Sequence, residues 1–214
     1  MTKIKYILFD VANTLIHKPL FWIKIQEILA NYGFDISKEK LQIHHKIISE
    51  QTNFPDRTDK NFYAEFNTSF LNSLGIYAND KMLEQIFKEC SYLPWEPFSD
   101  TSFLWEVTLP IGILSNFKKE LLEILSLIFG NIFADIIISE KENLRKPDVC
   151  FFEFAIKKIG LQPEEILYVG DSLRLDYIPA RQINLNVLLI DRIGSYCSGH
   201  YVISSLEQIN KFIS

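Results

Sequence analysis

The sequence has little of what marks several large classes of protein. Lysine and arginine together supply 22 residues against 27 acidic ones, giving a net charge of −5, and no long basic run occurs. Because nucleic-acid-binding proteins usually present a basic stripe, we expect no nucleic acid among the partners. The 3 cysteines are widely spaced and form no C-x-x-C pattern. They favour neither a disulfide framework nor a zinc site, and we expect thiols in a reducing compartment.

Long apolar runs are also absent. A membrane-spanning helix needs roughly 20 apolar residues, and the nearest stretch, residues 121–138, is interrupted at Glu123, Gly130, Asn131 and Asp135. Residues 1–10 reach a charge too early for a signal peptide. We therefore expect a soluble, cytoplasmic protein with no membrane partner. With 48% hydrophobic residues, its 214 residues can form a buried core in one large domain or in a domain with an insert.

What the sequence does contain is two different hydrophobic periods. From about residue 18 to residue 96 apolar residues recur at helical spacing, which predicts an all-helical block. The candidate boundaries of its helices are Asp59 and Asp80 as N-caps, with Gly33 and Gly75 as C-terminal stops. Aromatic side chains between residues 54 and 70 are expected to form the core of this block. His44 and His45 are adjacent, so at most one faces inward, and we expect surface positions for them.

Outside this block, short apolar runs alternate with helical segments. The expected strands are residues 5–10, 111–115, 134–139, 165–170 and 186–190, and the expected helices are residues 118–128, 148–159, 173–182 and 204–213. Such alternation predicts a parallel sheet covered on both faces. The predicted fold class is therefore α/β, a Rossmann-like doubly wound core with an inserted α-helical cap. The core takes residues 1–16 and 98–214, and the cap takes residues 17–97.

Polar residues stand at the ends of three of these strands. Asp10 ends the first, Ser115 ends the second, and Gly170 with Asp171 ends the fourth. Open parallel sheets bind ligands at the carboxyl ends of their strands, so these side chains are candidates for one site.

Four motifs at these positions resemble those of the haloacid dehalogenase superfamily. The run Asp10-Val-Ala-Asn-Thr14 resembles its first motif, D-x-D-x-T, and Leu114-Ser115-Asn116 resembles its second. Lys146-Pro147 resembles the third, and Gly170-Asp171-Ser172-Leu-Arg-Leu-Asp176 resembles the fourth, G-D-S-x-x-x-D. The motifs occur in the order found in the family, and the resemblance covers essentially the whole chain.

The resemblance implies a nucleophile and a metal site. Asp10 would attack the substrate and form a covalent intermediate, as carboxylates do in several enzyme classes. Mg²⁺, which prefers oxygen ligands, would be held by Asp10, the backbone carbonyl of Ala12 and Asp171. Asp176 would anchor a metal-bound water or hold its loop.

The resemblance also implies residues that bind and stabilise the transferring group. Lys146 would offset the repulsion between Asp10 and an anionic phosphate. Ser115 and Asn116, with nearby backbone amides, would bind phosphate oxygens. Thr14 would brace the first loop.

The chain departs from the family pattern at Ala12. In family phosphatases this position holds an aspartate that protonates the leaving group and then activates water. Alanine can do neither, and the neighbouring amide of Asn13 has no titratable proton near neutral pH. General acid–base catalysis contributes about 10²- to 10⁴-fold in rate, so turnover of substrates with poor leaving groups is in question.

Several functions remain open on the sequence alone. The first is a Mg²⁺-dependent phosphatase acting on a small phosphorylated metabolite, either one that needs no acid, such as an acyl phosphate, or one whose acid comes from His17 or the cap. A phosphonatase has alanine at this position and a cap lysine, for which Lys46 is the candidate. A metal-free dehalogenase usually has a cap arginine soon after the nucleophile, but no arginine precedes Arg57 here and Asp171 is retained. A non-catalytic binding or regulatory module is the remaining alternative, and the oligomeric state is left open.

Overall fold

The computed structural model of the protein describes residues 3–213, and over these residues the chain divides into two compact units. The first unit comprises residues 3–17 and 97–213, and the second comprises residues 18–96. Each boundary lies one residue away from the one expected from the change in hydrophobic period. Within the same described range, no helix has the length and apolar character needed to cross a membrane.

A parallel sheet forms the centre of the first unit. The strands described are β1 Tyr6–Phe9, β2 Ile16–His17, β3 Glu96–Pro97, β4 Ile111–Ser115, β5 Asp135–Ile138, β6 Ile166–Gly170, β7 Asn186–Ile190 and β8 Val202–Ile203. In the described part of the chain, six of them form one sheet in the order β5-β4-β1-β6-β7-β8, with every neighbouring pair parallel. The chain order reverses on the two sides of β1, as in doubly wound folds. The predicted fold class is confirmed.

The helices fall into two sets. In chain order they are α1 Pro19–Asn31, α2 Lys38–Gln51, α3 Lys60–Ser73, α4 Asp80–Cys90, α5 Leu121–Phe129, α6 Ser139–Glu142, α7 Val149–Ile159, α8 Ile178–Gln182 and α9 Asn210–Ile213. The first four make up the second unit. The others alternate with strands of the first unit, where Phe152 of α7 packs against Tyr168 of β6 and Phe151 belongs to the same buried core.

The central strands are buried along their whole length. Every residue of β1, β4 and β6 is buried. This is why their sequences are nearly continuous apolar runs rather than alternating patterns: helices cover both faces of a parallel sheet. Because parallel strands end at the same edge, the residues that follow β1 and β6 and the last residue of β4 lie near one another.

Two predicted helices of the first unit differ from those observed. Residues 173–182 form a π-helical turn, Leu173–Tyr177, followed by α8. The carbonyl of Ser172 accepts from the N–H groups of both Asp176 (3.0 Å) and Tyr177 (3.1 Å), and Pro179 has no N–H with which to continue a regular α-helical ladder. The predicted helix over residues 204–213 is a 3₁₀ turn, Leu206–Ile209, followed by α9. Strand β8 was not predicted.

The second unit shows which helix boundaries can be identified from sequence. Asp59 caps α3, accepting from the N–H of Phe62 at 2.8 Å, as predicted. The prediction of Asp80 as an N-cap is wrong: Asn79 caps α4 by accepting from the N–H of Met82 at 3.0 Å, and Asp80 begins the helix. Gly33 and Gly75 follow α1 and α3 with φ of 85° and 79°, a backbone conformation that favours glycine.

The aromatic stretch contributes to the core of the second unit, as expected. Phe66 and Phe70 are buried there. The expectation of a surface position is wrong for His45, whose ring centroid lies 5.0–5.5 Å from those of Phe21, Trp22, Phe66 and Phe70. The side chain of His45, on helix α2, therefore packs between helices α1 and α3.

Candidate active site

The candidate site lies at the carboxyl edge of the three central strands. Asp10 follows β1 directly, and its N–H donates to the carbonyl of Val169 in β6 at 2.9 Å. Ser115 is the last residue of β4, on the other side of β1. Gly170 ends β6 and is followed by Asp171. The strand order therefore brings together the polar strand ends that the sequence predicts.

The carboxylate of Asp10 is buried and receives three side-chain donors. Lys146 Nζ lies 2.6 Å and Ser115 Oγ 3.2 Å from its Oδ1, while Thr14 Oγ1 lies 3.2 Å from its Oδ2. Burial raises the pKa of Asp10 to about 6; the charge of Lys146 acts in the opposite direction, and nearby Asp176 adds to the increase. Above this pH the group is an ionised carboxylate held in a fixed orientation, the state a nucleophile requires.

Lys146 is fixed at both its backbone and its side chain. Asn116 accepts from the backbone N–H of Lys146 and donates to its carbonyl, both at 2.8 Å. The ammonium donates to Asp10 and to Asp176 Oδ1, each at 2.6 Å. Burial alone would lower the pKa of Lys146, but the two carboxylates outweigh it and raise the pKa, so the lysine stays charged. The amide of Asn116, expected to bind substrate, is thus engaged in positioning Lys146.

Asp176 connects the ammonium to the loop after β6. Its Oδ2 accepts from the backbone N–H of Ser172 at 2.9 Å, and its Oδ1 accepts from Lys146 Nζ and from Tyr168 Oη, the latter at 2.7 Å. Both oxygens are therefore already hydrogen-bonded within the protein. These bonds favour the second of the two roles expected for Asp176, that of holding its loop.

Three carboxylates of the site face one another closely enough to share a cation. One oxygen from each of Asp10, Asp171 and Asp176 lies within 4.8 Å of the others. Together they carry more negative charge than Lys146 alone can offset, and carboxylate oxygens are the ligands that Mg²⁺ prefers. The residues present therefore fit a divalent cation.

Ala12 lies in the loop after β1, two residues after Asp10, and its side chain cannot act as an acid. The carbonyl of Val11 accepts from the N–H groups of Thr14, Leu15 and Ile16 at 2.8–3.3 Å, which closes a tight turn. Asn13 takes a φ of 62° within it.

Sequence reasoning missed the residues that support this loop and the loop after β6. Arg192 Nη2 donates to the carbonyl of Thr14 at 2.7 Å, its Nη1 pairs with Asp100 at 2.9 Å, and its guanidinium stacks 3.8 Å from the ring centroid of Phe98. Tyr196 Oη lies 3.3 Å from the carbonyl of Asp171. The one available signal was an arginine two residues after the end of a predicted strand.

Two residues that the alternative functions require lie as follows. The ring of His17, a candidate replacement acid, stacks on that of Phe98 with centroids 4.0 Å apart. Lys46, the candidate Schiff-base lysine, lies in the second unit and pairs with Glu50 at 3.2 Å.

The fold and the chemistry of the site define a class: a doubly wound α/β protein with a buried carboxylate, a lysine and an acidic cluster at the ends of its central strands. The model of the haloacid dehalogenase-like hydrolases matches residues 4–184, so the chain belongs to this family. It is a hydrolase of phosphatase-like type. This confirms the family resemblance seen in the four motifs.

Similar proteins cover nearly the whole chain. A glyceraldehyde 3-phosphate phosphatase of Methanocaldococcus jannaschii is 26% identical over 96% of this chain and 95% of its own. Another, from Pyrococcus furiosus, is 29% identical over 98% of this chain and 92% of its own. The solved structure of the HAD-hydrolase YfnB from Bacillus subtilis, bound to magnesium, shares the fold with a TM-score of 0.69 at 15% identity, covering 99% of both chains.

Proposed function

We propose that the protein is a Mg²⁺-dependent phosphatase that forms an aspartyl-phosphate on Asp10. The supporting observation is the buried Asp10 carboxylate, contacted by Lys146, Ser115 and Thr14 and lying within 4.8 Å of Asp171. A fixed, ionised carboxylate beside an ammonium and a cation site is what attack on an anionic phosphate needs.

The proposed roles follow from these contacts. Asp10 attacks phosphorus, and the bond from phosphorus to the leaving oxygen breaks. Lys146 stabilises charge on the transferring group, while Ser115 and Thr14 hold Asp10 in place. Water then cleaves the acyl phosphate, releasing phosphate and restoring the carboxylate of Asp10.

The metal would be held by Asp10, the carbonyl of Ala12 and Asp171, with Asp176 holding the loop from outside. When bound, Mg²⁺ neutralises charge on the phosphate and orients it. We further propose that the helical unit acts as a cap that selects substrate. The cytoplasmic location stays a prediction from the sequence.

The substrate proposal is a small phosphorylated metabolite. Since relatives matching nearly the full chain are named glyceraldehyde 3-phosphate phosphatases, we propose glyceraldehyde 3-phosphate as the first natural substrate to test. Its leaving group is an alkoxide, which Ala12 cannot protonate. We expect its turnover to be slower than that of an ester with a good leaving group, by up to about 10²- to 10⁴-fold.

The first test compares hydrolysis of p-nitrophenyl phosphate and of glyceraldehyde 3-phosphate, with Mg²⁺ and with a chelator. We expect Asp10→Asn and the chelator each to lower activity by about 10³-fold or more. A matched control is Asp135→Asn, because Asp135 is also an aspartate of the sheet but bonds to Tyr6, away from the site. It should retain wild-type activity.

Activity that survives both Asp10→Asn and the chelator would contradict the proposal. Covalent trapping of the protein by borohydride in the presence of a phosphonate substrate that carries a carbonyl group, abolished by Lys46→Arg, would instead indicate a phosphonatase. Halide release in the presence of the chelator would indicate a dehalogenase. Binding of phosphorylated compounds without any turnover would indicate a non-catalytic module.

A further inference from the structure

The hydroxyl of Tyr168 contacts both the ammonium of Lys146 and the carboxylate of Asp176. Tyr168 is completely buried in the middle of β6. Its Oη is 2.7 Å from Asp176 Oδ1 and 3.1 Å from Lys146 Nζ. None of the four motifs includes it, and in the sequence it looks like one more large residue of a core strand.

Hydrogen-bond chemistry fixes the direction of both contacts. An ammonium can only donate, so Lys146 donates to the Tyr168 oxygen. The phenol has one proton, which it donates to the carboxylate of Asp176. The hydroxyl therefore links the cation to the anion by accepting from Lys146 and donating its only proton to Asp176.

The same contacts use all the protons of Lys146. A lysine ammonium carries three N–H donors, and the acceptors here are Asp10, Asp176 and Tyr168. Three bonds in different directions define the position of the nitrogen, whereas two leave it free to rotate about the line that joins the carboxylates.

The ring of Tyr168 is itself held rigidly. Strand β6 pairs on both sides, with Tyr168 opposite Leu8 of β1 and Val187 of β7. Phe152 packs edge-on against the ring with centroids 5.2 Å apart. The hydroxyl is therefore presented from a fixed part of the sheet rather than from a loop.

We infer that Tyr168 is a positioning residue that fixes the ammonium of Lys146 between Asp10 and Asp176. This inference rests on the proposed function in so far as Lys146 acts on the transferring phosphate. It adds a residue outside the motifs to the machinery of the reaction. It also explains why a tyrosine, rather than an aliphatic residue, lies at the centre of an otherwise aliphatic strand.

The chain supplies a matched control in Tyr6. This second buried tyrosine lies on the neighbouring strand β1 and donates to the carboxylate of Asp135 at 2.9 Å. Tyr6→Phe and Tyr168→Phe each remove one buried hydroxyl bonded to a carboxylate, but only Tyr168 contacts Lys146. A purely structural role predicts similar consequences for both variants.

The test combines steady-state kinetics with NMR of the lysine ammonium groups in metal-free protein. A hydrogen bond to a charged group accounts for about 10- to 100-fold in an equilibrium or a rate, so kcat of Tyr168→Phe should fall by this factor. KM should stay within about 2-fold, because Tyr168 does not touch substrate. The ammonium resonance of Lys146, assigned by its loss in Lys146→Met, should be protected from water exchange in the wild type and in Tyr6→Phe but not in Tyr168→Phe.

Wild-type kcat and an unchanged Lys146 resonance in Tyr168→Phe would overturn the inference, as would equal losses in Tyr6→Phe. If Tyr168→Phe does not fold, the wild-type spectrum still decides, since rapid exchange of the Lys146 ammonium would contradict the three-bond arrangement. An inactive wild-type enzyme would contradict the proposed function but leave the NMR result to decide the positioning of Lys146.

Discussion

Gly170 allows Asp176 to approach the end of β6. A Cβ built on Gly170 would meet the side chain of Asp176, lying 2.6 Å from its Cβ, so no side chain fits there without moving the aspartate. The absence of a side chain at this position therefore makes room for the bonds from Asp176 to Lys146, Tyr168 and Ser172. The glycine of the fourth motif is required by this close approach.

We predict that Gly170→Ala displaces Asp176 and lowers both Mg²⁺ affinity and kcat. Overpacking of this kind also destabilises a protein by about 1–3 kcal/mol. The control is Gly112→Ala, whose added Cβ would meet the hydroxyl of Tyr6 and should cause a similar loss of stability. Calorimetric titration with Mg²⁺ and denaturant unfolding separate the two effects. Equal losses of Mg²⁺ affinity in both variants would contradict a local role for Gly170.

At the scale of elements, the sequence predicts which functional residues lie at the ends of strands better than it predicts which residues of neighbouring strands contact them. Asp10, Ser115 and Asp171 could be predicted as neighbours because parallel strands place their ends at one edge. Tyr168 could not, because its importance depends on β6 lying next to β1 and on where Lys146 reaches. Arg192 contacts the carbonyl of Thr14 across a separation of 178 residues, which no local pattern encodes.

Local competition explains the other differences. Asn79 and Asp80 are both good capping residues, so their order along the chain does not decide which one caps α4. The turn after β6 departs from a regular helix because Asp176 bonds back to the N–H of Ser172 and Pro179 lacks an N–H. In each instance the sequence predicted an element, and local hydrogen bonds determined where it begins or ends.

Helix α2 of the second unit introduces a dependence of stability on pH through His45. Burial among aromatic rings, together with the charge of the adjacent Lys46, lowers the pKa of His45 to about 4. The aromatic rings packed around His45 carry no charge. The charged side chains near it are Lys46 and its partner Glu50. In the unfolded chain the pKa is about 6.5.

The sign of the effect follows from linkage. Above pH 6.5 the histidine is neutral in both states and contributes no dependence on pH. As pH falls from about 6.5 to about 4, the unfolded chain binds a proton before the folded one does, so stability is lost. Because the side chain is half-buried, we expect this loss to reach about 1–2 kcal/mol.

We predict that His45→Phe reduces the difference in unfolding free energy between pH 7.5 and pH 4.5 by this amount. The neighbouring His44, which bonds to Ser73 instead, provides the control variant His44→Gln. Denaturant unfolding at the two pH values measures the difference. Parallel pH profiles for wild type and His45→Phe would contradict the assignment.

At the scale of the whole molecule, the change of hydrophobic period predicts two units. The boundaries fall one residue from those observed because the chain passes between the two units at the short strands β2 and β3, which are too short to carry a hydrophobic period of their own. The role of the helical unit as a cap stays a prediction. The bounds of the unit describe its fold and not its function.

The acidic cluster should make the stability of the molecule depend on Mg²⁺. Asp10, Asp171 and Asp176 repel one another in the folded protein, whereas in the unfolded chain Asp10 is far in sequence from the other two, so a cation bound at the cluster stabilises the folded state. At a concentration 100 times its Kd, such a ligand contributes about 2.7 kcal/mol. For a chain of this size we predict a rise in Tm of about 5–10 °C.

Thermal unfolding with MgCl₂, against NaCl of equal ionic strength, measures this rise. Asp171→Asn should abolish most of it, because Asp171 and Asp10 are the two carboxylates of the cluster for which we propose a direct bond to the metal. Glu123→Gln, which removes an exposed acid on α5, should retain it. Equal rises in all three proteins would mean that Mg²⁺ binds elsewhere, and the proposed metal-dependent attack by Asp10 would then lose its support.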